Sequence, residues 1–250
     1  MGEPSLPAPF RWEGDHIAAE LPSGKVLFST RRGGVSTGGF ASLNLGRLTD
    51  DRSADVDANR RLLAESVGMP RERFLYGRQV HGARVRRATE PPGPERPVAD
   101  EDGQATALAD AAALVFVADC LPVALIADGA VAALHGGWRG LARGVLGEGV
   151  AALRELGARG EIQAVLGPSA RGCCYEVGEE VHANFAAYGA RQGERNLDLA
   201  LVARAQLDAA GVRAVHDTEL CTLCSDPSLF FSPRRDGGTT GRQAGVGWRA

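Results

Sequence analysis

The chain has 250 residues, 44% of them hydrophobic and 24% charged, with a formal net charge of -3 at pH 7. That balance supports a sizeable core and leaves no basic surplus, so it argues against a nucleic-acid or anionic-membrane binder. No apolar run approaches the roughly 20 residues of a membrane span, and the opening MGEPSLPAPFRWEG lacks the charged start and apolar stretch of a secretion signal. A cytoplasmic chain with reduced thiols is therefore expected for the five cysteines, Cys120, Cys173, Cys174, Cys221 and Cys224.

In chain order, the first expected strand is 25–29, around Val26, Leu27 and Phe28. A helix over 55–67 follows, with Val56, Leu62, Leu63 and Val67 on one face, Ser53 or Asp55 as cap, and Gly68 and Pro70 as its stop. Strands at 74–76 and 83–87 flank RQVHG, where His81 stands directly before a glycine. The proline-rich, charged stretch 91–103, PPGPERPVADEDG, reads as a surface loop. Strands are expected at 113–118, 123–127, 130–134, 163–166 and 212–215. Helices are expected at 141–156, 176–187 and 197–210. Mixed strands and helices without strict alternation favour an α+β or irregular α/β layered fold.

The stretch ADCLPVALIADGAVAALHGGWRG (118–140) raises the main question about function. Two apolar runs are separated only by Asp128-Gly129, a strong hairpin signal whose type I′ turn needs positive φ at both central residues. The register then pairs 127 with 130, 125 with 132, 122 with 135 and 120 with 137. Cys120 and His135 become diagonal neighbours on one face, about 7–8 Å apart, although Pro122 loosens the ladder there. Gly136 and Gly137 clear space beside the imidazole and turn the backbone. A helix from about 141 would aim its first N–H groups back at the site as an anion pocket, with Trp138 packed beneath.

Two chemistries suit these residues. With His81, the set is two imidazoles and a thiolate, which fits zinc with an open fourth position and also fits copper; spacing alone leaves open whether His81 reaches the other two. Alternatively, Cys120 and His135 are the nucleophile and base of a metal-free cysteine hydrolase, in which His81 has no task. Of the remaining thiols, CTLC (221–224) with Cys173-Cys174, His182 and His216 offers structural-zinc donors. Adjacent cysteines chelate one ion poorly, however, so buried reduced thiols are expected, with a Cys221–Cys224 disulfide as the oxidised form.

Several motifs resemble the laccase-domain proteins, also called the YfiH family of purine nucleoside phosphorylases, and occur in that family's order. They are FSTRRGGVSTGGFASLNLG (28–46), NRRLL (59–63), QVHG (79–82), ADCLPV (118–123), HGGWRG (135–140), GPSARGCCYEVG (167–178) and FFSPRRDGGTTGRQA (230–244). The resemblance implies a single α+β domain over 1–250, with mixed β-sheets in layers and outer helices. It implies a metal, usually zinc, held by His81, Cys120 and His135, which would also be the catalytic residues. It further implies phosphorolysis of adenosine, inosine, guanosine and methylthioadenosine, with adenosine deamination as a companion activity. Copper-dependent polyphenol oxidation is the basis of an older family name, and the cytotoxic necrotizing factor toxins carry a Cys/His pair on a similar fold.

Purine nucleosides and phosphate are thus the expected partners. Phosphorolysis must hold phosphate, orient the ribose and stabilise the departing base. Arg31, Asn44 and Arg60 are the expected substrate contacts. Arg234, Arg235 and Arg242 either position phosphate or tie down the tail, and Phe230 and Phe231 are expected in the core. The family commonly has alanine at the position of Gly136 and tyrosine at that of Pro233, departures that bear on substrate preference.

Overall fold

The computed structural model describes residues 3–92 and 99–250. Its strands are Phe10–Glu13 (β1), His16–Leu21 (β2), Gly24–Phe28 (β3), Phe74–Leu75 (β4), Val85–Ala88 (β5), Gly103–Thr106 (β6), Ala112–Val117 (β7), Leu121–Asp128 (β8), Ala130–Gly136 (β9), Arg159–Leu166 (β10), Arg191–Gln192 (β11), Asn196–Leu197 (β12), Ala214–Asp217 (β13) and Gln243–Arg249 (β14). The α-helices are Ser53–Val67 (α1), Trp138–Ala142 (α2), Val145–Glu155 (α3), Glu179–Asn184 (α4), Leu199–Ala209 (α5) and Pro233–Asp236 (α6). One mixed sheet has the order β1-β2-β3-β14-β7-β4 and a second the order β13-β10-β8-β9-β6-β5, while β11 and β12 form a separate ribbon.

Strand alternation explains the layering. Along β3, Leu27 points one way, with Leu63 and Ala64 of α1, while Val26 and Phe28 point the other way, toward Ala124, Ile126 and Val131 of the second sheet. On the far side of that sheet, Val123, Leu125, Leu134 and Leu166 meet Leu146 and Leu153 of α3 and Val202 and Leu207 of α5. The order of layers is helix, sheet, sheet, helix, so both sheets are covered and, apart from Asp128 and His135 near their ends, β8 and β9 are apolar rather than alternating. This is the layered α+β arrangement expected of the chain. No helix among the described residues is long and apolar enough to cross a membrane.

The central hairpin closes in the expected register, with Ala127 opposite Ala130, Leu125 opposite Ala132 and Pro122 opposite His135. The turn itself differs from expectation: only Gly129 has positive φ, at 92°. Asp128 still pairs with Arg159 of β10, so its backbone stays extended and the whole reversal falls on the glycine. Leu125 is fully buried at the middle of this hairpin. Leu125→Ala is expected to lower the unfolding free energy by about 3 kcal/mol, read from urea denaturation.

Other elements depart from the sequence reading for local reasons. The helix expected at 141–156 begins earlier, at Trp138, and is split into α2 and α3 by Gly144, whose φ is 84°. Helix 176–187 shortens to α4 and a single 3-10 turn, Ala186–Tyr188. Ser53 is already helical; the cap position is Arg52, without a side-chain acceptor. Of the loop expected at 91–103, residues 93–98 lie outside the described residues, but Glu101 and Asp102 are buried and Gly103 opens β6.

Candidate active site

The mouth of the β8–β9 hairpin positions two of the expected ligands. Leu121 pairs with Gly136 and Pro122 with His135, so Cys120 sits just before the first rung and His135 just inside it. Asp119 holds the approach to Cys120 with a φ of 74°, a conformation that costs a non-glycine residue on the order of 1 kcal/mol. Four hydrogen bonds hold it there. Thr222 Oγ1 donates to its Oδ1 at 2.6 Å, Ser232 Oγ and the Arg234 amide donate to its Oδ2 at 3.0 Å, and the Ala170 amide donates to its carbonyl at 2.8 Å.

His81 reaches the same place from a separate loop. Gln79 clamps that loop to β7 through both of its amide ends, donating to the Phe116 carbonyl at 2.7 Å and accepting from the Phe116 amide at 2.8 Å. His81 itself has a φ of 58°. Its Nε2 lies 3.8 Å from Cys120 Sγ, and its ring meets that of His135 edge-on with centroids 4.8 Å apart. One donor atom from each of His81, Cys120 and His135 lies within 4.8 Å of the others. A Cβ built on Gly137 would stand 2.8 Å from His81 Cδ2, 3.2 Å from Cys120 Sγ and 3.6 Å from His135 Cε1. The missing side chain of Gly137 is the space in which the three side chains converge.

Asp102 organises the whole cluster. Its Oδ1 accepts from His135 Nδ1 at 2.8 Å and from the His81 amide at 2.9 Å; its Oδ2 accepts from the amides of Val80 at 3.1 Å and Gly82 at 2.7 Å. Its carbonyl also accepts from the His135 amide at 2.7 Å. The bond to Nδ1 leaves Nε2 of His135 free to act as a ligand. Sequence reasoning missed this residue because ADEDG looks like the acidic end of a proline-rich loop. The nearest available signal was the β6 pattern directly after it.

The electrostatics agree with the contacts. Burial alone would push the Asp102 carboxyl up, but His135 and the amides of Gly82 and Val80 outweigh it and hold the group below the usual carboxylate range. Burial likewise opposes charge on both partners of the Cys120–His135 pair. Their mutual attraction nevertheless lowers Cys120 to about 6, with His81 also contributing, and raises His135 to about 9, with help from Asp102. A thiolate and two imidazoles, one of them braced by a carboxylate, form a donor set that fits zinc or copper.

Above the cluster lies a cleft of about 540 Å³ lined by Cys120, His81 and His135, by Tyr76, Phe116 and Val117, and by Arg47, Arg60, Arg78 and Arg242. That volume falls within the range typical of small-molecule sites. Of the three expected substrate contacts, Arg60 lines the cleft. Its guanidinium lies 4.5 Å from the Phe116 ring centroid and donates twice to the Leu45 carbonyl, and burial lowers it to about 10.

Arg31 and Asn44 sit behind the wall. Arg31 donates to the carbonyls of Ala41 and Pro227 and lies over Phe231. Asn44 is fully buried, donates to Thr49 and Asp51, and accepts from the amides of Gly46 and Arg242. Arg47 and Arg78 are ion-paired with Asp57 and Asp100. No carboxylate lies within ion-pair distance of Arg60 or Arg242 among the described residues. Arg235 ties the tail to the carbonyls of Thr222 and Phe230, and Phe230 and Phe231 are core residues, as expected. At Gly136, an added Cβ would lie 2.8 Å from the Leu121 carbonyl oxygen, which is why glycine suits this chain there.

Residues 25–250 match the family described as multi-copper polyphenol oxidoreductase laccase. A purine nucleoside phosphorylase of Streptomyces coelicolor is 42% identical over 232 residues, covering 88% of this chain and 93% of the relative. One from Corynebacterium glutamicum is 38% identical over 234 residues, covering 90% and 94%. Among solved structures, YlmD from Geobacillus stearothermophilus superposes with a TM-score of 0.89 at 35% identity, covering 97% of this chain and 99% of that one.

Proposed function

The chain belongs to the multi-copper polyphenol oxidoreductase laccase family, and from that membership we propose that it is a metal-dependent purine nucleoside phosphorylase. Its substrates are adenosine, inosine, guanosine and methylthioadenosine, with phosphate as co-substrate and with adenosine deamination as a second activity of the same cleft. The names of its relatives, purine nucleoside phosphorylases, support the phosphorylase part of this reading. The observation that carries it is the meeting of His81, Cys120 and His135 on the floor of a cleft whose wall includes two guanidiniums free of carboxylates.

His81, Cys120 and His135 would hold zinc, which when bound supplies a Lewis-acidic charge to a reactant oxygen. In phosphorolysis a phosphate oxygen bonds to the anomeric carbon, while the purine nitrogen leaves with the electron pair of the glycosidic bond. Arg60 and Arg242 hold the phosphate and neutralise its charge. Tyr76, Phe116 and Val117 offer the apolar wall for the base, and the closed surroundings of Asp102 keep His135 oriented throughout.

The test is incubation of purified protein with inosine or adenosine, with and without phosphate. Hypoxanthine or adenine and ribose 1-phosphate are expected only with phosphate, and inosine from adenosine without it. Chelation is expected to lower both rates by about a thousandfold, the equivalent of roughly 4 kcal/mol of transition-state stabilisation, and zinc to restore them. If copper but not zinc restores activity, the metal assignment is wrong while the site stands.

One observation favours a second reading. Asp102, His135 and Cys120 form a carboxylate–imidazole–thiol chain, the arrangement of a cysteine hydrolase. Phosphate-independent turnover of an amide that survives chelation would replace the first reading by this one.

A further inference from the structure

A second convergence of thiols lies away from the cleft. Sγ atoms of Cys173, Cys174, Cys221 and Cys224 all lie within 4.8 Å of one another, and those of Cys173 and Cys224 are 3.3 Å apart. Two loops bring them together. The Cys174 and Tyr175 amides both donate to the Arg171 carbonyl at 2.9 Å, which folds Cys173-Cys174 into a tight turn; the Ser225 amide donates to the Cys221 carbonyl at 3.0 Å, which folds CTLC into another. Ser169 stitches the loops together, donating its amide to the Leu220 carbonyl and accepting from the Thr222 amide at its own. Adjacent cysteines that looked ill-suited to one ion are splayed by the turn so that both reach the same centre.

The expectation of buried, reduced thiols is corrected in two respects: of these four only Cys221 is buried, Cys173 and Cys224 being exposed, and one pair is oxidised. Cys174 and Cys224 are joined sulfur to sulfur, and the pair is not the expected Cys221–Cys224. Their Cα atoms are 7.2 Å apart, wider than the roughly 4.4–6.8 Å usual for a disulfide. A tetrahedral ion with bonds of about 2.3 Å to sulfur needs sulfurs about 3.8 Å apart, a spacing that these four thiols can meet together. Arg171 lies beside them. Its guanidinium is ion-paired with Asp217 at 2.8 Å and Asp198 at 3.6 Å, which fixes the turn that carries Cys173 and Cys174.

We propose that in the reduced chain Cys173, Cys174, Cys221 and Cys224 form a second metal site, for a thiophilic divalent cation of tetrahedral preference such as zinc. Opening the Cys174–Cys224 bond takes two electrons and two protons, supplied by a thiol reductant that is itself oxidised to a disulfide; the four thiols then release their protons as the ion binds. The site has a structural consequence for the cleft, because Thr222 of CTLC donates to Asp119, the residue before Cys120. The proposal does not depend on the catalytic reading.

The test is titration of the reduced full-length protein with cobalt(II), followed by its sulfur-to-cobalt charge-transfer absorption, and in parallel with zinc. The wild type is expected to bind a second equivalent beyond that at His81, Cys120 and His135. C120A should keep the larger share of the charge-transfer band, and C173S/C224S should lose that share together with one equivalent of metal. Should the double variant misfold, the wild type decides alone: zinc is expected to protect all five cysteines from a thiol reagent. Protection of Cys120 only, or a charge-transfer band that vanishes entirely in C120A, would overturn the site.

Discussion

Gly137→Ala is expected to abolish metal binding and nucleoside cleavage while the protein stays folded. The added methyl group would stand 2.8 Å from His81 Cδ2 and 3.2 Å from Cys120 Sγ. Both neighbours are ends of side chains rather than backbone, so the structure can relieve the overlap by rotating them, at a cost to stability of about 1–3 kcal/mol. That rotation removes two of the three donors from their common centre. Replacing an outer partner of a metal site costs roughly 10–100-fold in affinity, so displacing the ligands themselves should cost more than about 100-fold. The measurement is competition with a chromogenic chelator, with a thermal melt as the control for folding. Wild-type metal affinity in this variant would show that the three side chains do not share one ion.

The second large effect is expected at a residue that touches no substrate. Asp102→Asn preserves shape but exchanges one acceptor oxygen for an NH₂ group. The native carboxylate accepts from His135 Nδ1 and from the amides of Val80, His81 and Gly82. The asparagine keeps one oxygen for these donors and faces its own donor at the rest. A buried donor left unpaired costs about 1–3 kcal/mol, so the His81 loop should loosen from β6. Metal affinity should fall about 10–100-fold, and kcat should fall with it in metal-limited assays. Hydrogen exchange at the Val80–Gly82 amides separates this from a purely electrostatic effect, since only the loss of the carboxylate clamp would expose them. Unchanged exchange with unchanged affinity would remove Asp102 from its positioning role.

Arg31, Asn44 and Arg60 show how far an arginine or asparagine can be assigned from a motif. All three stand in or beside the same N-terminal segment and all three bond to backbone groups, yet only Arg60 also lines the cleft. A polar side chain that only braces the backbone and one that also faces a cleft look alike in one dimension. Strand β14 illustrates the same point for the fold. Gly245 and Gly247 weaken its strand pattern, but Pro122 of the facing sheet and Phe28 on the neighbouring strand β3 leave no room for a side chain at Gly245, and β14 sits in the middle of its sheet.

By itself the amino-acid sequence determined the local geometry: the hairpin and its register, the glycine turn after it, and the nearness of Cys120 to His135. Those features arise from φ preferences and strand alternation between residues a few positions apart. Only the tertiary structure decided that His81 joins them, that Asp102 is the clamp rather than a loop residue, and that two distant cysteine pairs meet. Each of these contacts spans from 21 to 51 positions of chain and is set by which loops the packed sheets bring together, a choice made by burial of the core as a whole and written in no single stretch.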